Sequence, residues 1–188
     1  FCYVIGYILM AFRQEDVQRR MEASAVSVRR QSMEGLLAMG VMGIALWGIG
    51  IAGAGIMYGK TFWNSRTLGY YFLNSLLMMA VALSLSYLVG MFTKNSNMLS
   101  GLANVVSLGM CFLCGVFVPM NVMDKKVLKV SRFLPVYWYE QVNELLGEYT
   151  ILTEKAASQI HMAMGIEALF AVVFVCLTLT VVKYKRQK

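Results

Sequence analysis

The chain has 188 residues, of which 59% are apolar and only 14% charged, with a mean hydropathy of +0.61. A soluble domain carries about 25% charged residues, and here the charges collect in blocks between long apolar runs, so a water-soluble globule is excluded. The net charge of +7 then speaks for orientation in a bilayer and contact with anionic lipid, not for nucleic acid.

Residues 1–12 form an apolar run too short to cross a bilayer, which takes about 20 residues. It lacks the basic start and small-residue cleavage site of a signal peptide. It reads as the inner half of a span that begins before Phe1, which makes the sequence the C-terminal part of a longer protein.

Residues 13–34 read RQEDVQRRMEASAVSVRRQSME. Val17, Met21, Ala25 and Val28 make a narrow apolar stripe at helical spacing, and Arg13, Arg19, Arg20, Arg29 and Arg30 lie off it. The positive-inside rule places this amphipathic segment in the cytoplasm. Its arginines either set topology and touch headgroups or dock a cytoplasmic partner.

Four longer runs follow, at residues 35–58, 68–92, 98–118 and 161–183, each long enough to span. The first is rich in glycine and has a Gly48/Ala52 pair, which predicts close helix packing. Gly59-Lys60-Thr61 resembles the end of a phosphate-binding loop, but position 54 is Ala where that motif needs Gly. With Phe62, Trp63 and Arg66 the segment reads as an interfacial hairpin. The second run carries Asn74, Ser75, Ser84 and Ser86, which predicts hydrogen bonds between helices. A turn at residues 93–97 holds Lys94. In the third run, Cys111 and Cys114 have CxxC spacing, but without a second pair they read as small packing residues, not a metal or redox site.

Residues 115–143, GVFVPMNVMDKKVLKVSRFLPVYWYEQVN, hold the only two prolines, Pro119 and Pro135. Val127, Val130 and Leu134 fall on one helical face and Lys125, Lys129 and Arg132 on the other, the pattern of a helix lying at a membrane surface. Tyr137, Trp138 and Tyr139 suit the same depth. A second amphipathic helix follows, with Trp138, Val142, Leu145, Leu146 and Tyr149 on one face. Glu140, Glu144 and Glu148 lie on the other, either as a solvated acidic face or as a substrate or cation site.

Alternation from a cytoplasmic 13–34 segment puts residues 93–97 and the basic tail inside, and the Gly59 loop and residues 121–160 outside. Ten Lys and Arg then lie inside against seven outside. In the last span Glu167 is the only ionisable residue well inside a run. Placed little more than a turn below the outer end, it is expected to reach water or to pair with Lys125 or Arg132. Both a structural and a transport role are open to it.

The string GVFVPMNVM…VLKVSRFLPVYWYEQVNELL resembles the last extracellular element of ATP-binding-cassette type-2 permeases, where a G-x-F-x-P turn and an F-L-P-x-Y segment lead into the final helix. RRMEASAVSVRRQSMEGLLAMG is similar to the family's cytoplasmic segment between its second and third helices. That segment often has Ser-Pro-Val-Ser where this chain has Ser24-Ala25-Val26-Ser27. The resemblance covers nearly the whole chain, from the end of helix two to the end of helix six.

It implies an all-α, polytopic transmembrane bundle forming a single domain, with a cytoplasmic coupling helix and short extracellular re-entrant helices before the last span. It further implies a multi-pass protein of the cell membrane, a bacterial-type exporter half whose C-terminus is cytoplasmic. The coupling residues would be Arg19, Arg20, Met21, Ser24, Val28 and Arg29, and the outer gate Pro119, Phe133, Pro135, Tyr137, Trp138 and Glu140. Partners would be a separate ABC ATPase subunit, a second permease subunit in a homo- or heterodimer, and lipid. No cofactor, metal or catalytic residue is expected, because the sequence holds no complete phosphate-binding loop. A competing reading is a non-transporting membrane scaffold or sensor subunit. An intramembrane enzyme would need convergent ionisable residues in the spans, and only Glu167, His161 and the cysteines are on offer.

Overall fold

The computed structural model describes residues 1–12, 28–63, 67–93, 95–148 and 153–186. They form seven α-helices and one 3₁₀ turn, with no strand among the described residues. The helices are α1 (Cys2–Phe12), α2 (Val28–Trp63), α3 (Leu68–Phe92), α4 (Ser96–Leu113), α5 (Lys125–Ser131), α6 (Pro135–Glu148) and α7 (Glu154–Arg186). Four stretches, Leu37–Lys60, Leu68–Phe92, Ser96–Leu113 and Glu154–Val181, are long and apolar enough to cross a membrane. The architecture is the all-α polytopic bundle that the hydropathy pattern predicts.

The centre of the bundle is α3, which packs against α1, α2, α4, α6 and α7. In lipid there is little hydrophobic drive between helices, so close packing and hydrogen bonds must hold them. Both are present along α3. At Gly90 a Cβ would lie 2.7 Å from Leu9 Cδ1 and 3.5 Å from Gly6 Cα, so α1 crosses α3 closely and a larger residue at 90 requires the Leu9 side chain to shift. The polar residues of α3 each reach a different neighbour. Ser75 Oγ accepts from Trp47 of α2 at 3.0 Å, and Ser86 Oγ donates to Cys2 Sγ of α1 at 3.3 Å. The Ser84 carbonyl accepts from Thr178 of α7 at 3.5 Å, and Asn74 donates to α6.

Loosely packed by comparison, α2 has 6% of its most apolar window buried, against 28% for α3 and α7. The predicted close packing of its glycines holds at Gly43, where a Cβ would meet Leu83 Cδ1 at 2.6 Å, whereas Gly40, Gly48, Gly50 and Gly53 face open space. The helix breaks at Gly59, whose φ of 54° and ψ of −134° are non-helical. Trp63 folds back beyond the break, with its ring 3.0 Å from where a Gly55 Cβ would stand.

The helix ends depart from the hydropathy pattern in several places, α2 already starting at Val28, and two of these departures bear on the site. The run 98–118 is apolar throughout, yet α4 stops at Leu113 because Gly115 takes φ +96°, a left-handed value that ends a helix. The last helix begins at Glu154, well before residue 161, with its first turn capped by Thr153 Oγ1 accepting from the Ala156 N–H at 3.4 Å. This early start changes the position of Glu167. It lies about 20 Å along the helix from Glu154 at the α-helical rise, with no exposed surface.

Candidate functional site

After α4 the chain folds back on itself. Pro119 leads into the 3₁₀ turn Met120–Val122, and Met120 buries its side chain with Cys114, Val136 and Tyr137. Asp124 Oδ1 accepts from the Lys126 N–H at 2.7 Å and caps α5. Ser131 closes α5 by donating to the carbonyls of Leu113 and Val127. Pro135 starts α6, a position where its missing N–H costs nothing. Trp138 Nε1 donates back to the Arg132 carbonyl at 2.9 Å and fixes the angle between α5 and α6.

The predicted gate residues divide here. Pro135 and Tyr137 are buried, Trp138 and Glu140 half-buried, and Trp138 bridges both hydrophobic clusters of the bundle. Phe133, 81% exposed, and Pro119 face outward and take no part in that packing. On the predicted face of α6, Val142 and Leu146 are buried and Leu145 packs against them, while Tyr149 lies outside the described residues. His161 Nε2 meets the Tyr70 hydroxyl at 3.5 Å beside the same cluster.

The acidic stripe of α6 is not simply a solvated face. Glu144 Oε1 accepts from the Met120 N–H at 3.1 Å, which ties α6 to the 3₁₀ turn. Glu140 is half-buried and accepts from Asn143 Nδ2 at 3.4 Å. Burial pushes its carboxyl above the usual range; the Asn143 amide offsets this in part, and Glu144 adds to it. Glu148 is exposed.

Beneath this lies a polar network that joins α3 to α6. Asn74, with no exposed surface, uses Nδ2 twice, to the Tyr139 carbonyl and to Asn143 Oδ1, each at 3.1 Å. Its Oδ1 is buried without a partner among the described residues. Burial pushes the Tyr139 phenol up, against a hydrogen bond from Asn143, and the nearby carboxylates of Glu140 and Glu167 push it further. Glu167 therefore lies within electrostatic reach of Tyr139. The expectation that it reaches water or pairs with Lys125 or Arg132 is corrected: it is fully buried, and neither carboxylate oxygen has a hydrogen-bond partner among the described residues.

Beside Tyr139 a partly open cavity of about 800 Å³ lies between α2 and α3. Its walls include Trp47, Tyr71, Ser75, Met78, Tyr139 and Asn143. Sequence reading missed this cavity, because Trp47 and Met78 look like ordinary packing residues of an apolar run. Of the predicted coupling residues, Arg19, Arg20, Met21 and Ser24 lie outside the described residues, and Val28 and Arg29 begin α2.

A bundle of four helices able to cross a membrane, with a folded-back helical element on its connecting segment and a cavity beside that element, is the build of a multi-pass membrane protein. The chain matches the family described as ABC-2 family transporter protein over residues 1–180 and belongs to that family. It is thus a permease-type membrane subunit of an ABC transporter. No curated protein and no solved structure matches it.

Proposed function

We propose that the chain forms the translocation pathway of an ATP-driven exporter and takes its energy from a separate ABC ATPase subunit. The observation that carries this reading is the family match across residues 1–180, which takes in the basic segment 13–34 as well as the spans. In this reading that segment is cytoplasmic and receives the motion of the ATPase through Arg19, Arg20, Met21, Ser24, Val28 and Arg29. A second permease subunit, identical or related, completes the pathway. The fold-back of residues 115–148 serves as its outer lid, with Pro135, Tyr137, Trp138 and Glu140 as the packed part and Pro119 and Phe133 toward lipid and water.

The physical support is continuity. The basic segment leads directly into α2, the loosely packed helix that forms one wall of the cavity. A rigid-body shift of α2 would change the cavity while leaving the contacts of α3 with α1 and α7 in place, the kind of small displacement that switching proteins use. Reversing Arg19 and Arg20 to Glu in the full-length protein is expected to abolish substrate-stimulated ATP hydrolysis while membrane insertion stays normal. Unchanged coupled hydrolysis in that variant rejects the reading.

A further inference from the structure

The cavity between α2 and α3 has a composition that selects its occupant. Trp47, Tyr58, Tyr71 and Tyr139 contribute aromatic rings, and Met78 and Met79 contribute adaptable thioethers. Its volume of about 800 Å³ falls in the range of small-molecule sites, about 300–1,000 Å³. Among the described residues, no lysine, arginine or histidine side chain lines it. The carboxyl groups of Glu140 and Glu167 both lie within electrostatic reach of the Tyr139 phenol on its wall. Glu167 and the Asn74 Oδ1 are also buried without partners among the described residues.

We propose that this cavity binds amphiphilic organic cations, with the apolar body against Trp47 and the methionines and the cationic head at the aromatic end near Tyr71 and Tyr139. The inference rests on the reading of the chain as a pathway-forming subunit and adds its substrate class. Aromatic faces attract a desolvated cation through their ring quadrupoles. When ionised, the half-buried Glu140 carboxyl near Tyr139 attracts a cation and repels an anion of the same shape. Met-lined walls can re-pack around different apolar bodies, so shape is recognised loosely and charge sign strictly.

Tetraphenylphosphonium and tetraphenylborate make a matched pair of probes, alike in shape and opposite in charge. The measurement is equilibrium binding of each to the full-length protein with its ATPase partner in lipid nanodiscs, against empty discs as the partition baseline. Tetraphenylphosphonium is expected to bind saturably, and tetraphenylborate to show the baseline alone. Gly50→Leu fills the cavity from α2, where a Cβ has nothing within 4 Å; it is expected to weaken the saturable binding at least tenfold. Ala54→Leu, on the same wall, serves as the second variant if Gly50→Leu does not give a monodisperse protein. Tyr139→Leu is expected to weaken binding at least tenfold, and Tyr139→Phe to retain it.

Equal saturable binding of tetraphenylborate overturns the charge preference. Tetraphenylphosphonium binding unaffected by both cavity-filling variants overturns the location, and the absence of saturable binding overturns the site. ATPase association is read in the same discs. An intact complex without a saturable site overturns this inference alone, whereas a saturable site without any complex supports the site and overturns the transport reading.

Discussion

At the scale of single residues, the polar groups buried between α3 and α6 decide how this bundle responds to pH. Burial raises the Glu140 carboxyl, with the Asn143 amide opposing and Glu144 assisting. A carboxyl raised in the folded state is bound more tightly to its proton there than in the unfolded chain, so its ionisation subtracts stability. That loss is present at neutral pH and disappears as pH falls through the folded value to the unfolded one, about 4.3. Glu140→Gln removes the charge and keeps an acceptor for Asn143. Its thermal midpoint in detergent is expected to exceed that of the parent protein at neutral pH, with the difference closing toward pH 4. A difference constant across that range would place the effect in packing instead.

At the scale of elements, the crossing of α1 and α3 is set by two glycines and a leucine. Gly90→Leu must displace Leu9 and then the backbone of Gly6, since a Cβ at position 90 already approaches both. Overpacking of this kind costs about 1–3 kcal/mol. The neighbouring Ser86 and Cys2 give a readout, their side chains being 3.3 Å apart. Ser86→Cys is expected to form a disulfide with Cys2 under mild oxidation, and adding Gly90→Leu should suppress it. Disulfide formation undiminished by Gly90→Leu would show that α1 does not depend on this close approach.

The elements themselves were largely legible in the residues, and their ends and partners were not. Long charge-free runs announced α2, α3, α4 and α7, because lipid tolerates little else. The early stop of α4 depends on one backbone torsion at Gly115, which hydropathy does not register. The early start of α7 was hidden by Glu154 and Lys155, whose charges belong to the first turn of the same helix. Asn74 stood out as a polar residue in an apolar run. Its partners Tyr139 and Asn143 did not, because pairing across 65 and 69 residues leaves no local pattern. The residues of the fold-back separated only in three dimensions, Tyr137 inward and Phe133 outward.

At the scale of the whole molecule, the open question is sidedness, and the cations of α5 make it measurable. Lys129 is exposed on α5, the helix proposed to lie at the outer surface. With the native cysteines replaced, Lys129→Cys is expected to react with a membrane-impermeant maleimide on intact cells. Reaction only after permeabilisation would invert the topology and move segment 13–34 to the outside. The same result would turn the fold-back of residues 115–148 from an outer lid into a cytoplasmic one.

The hydrogen bonds of α3 also impose an order on biosynthesis. Ser84 and Ser86 donate to the carbonyls of Ala80 and Ala82 in their own helix, so both hydroxyls are satisfied as soon as α3 winds up. Asn74 has no such recourse, since its amide is matched by groups that the ribosome has not yet made when α3 enters the bilayer. The Asn74 amide therefore gains these partners only after α6 is synthesised and folds back.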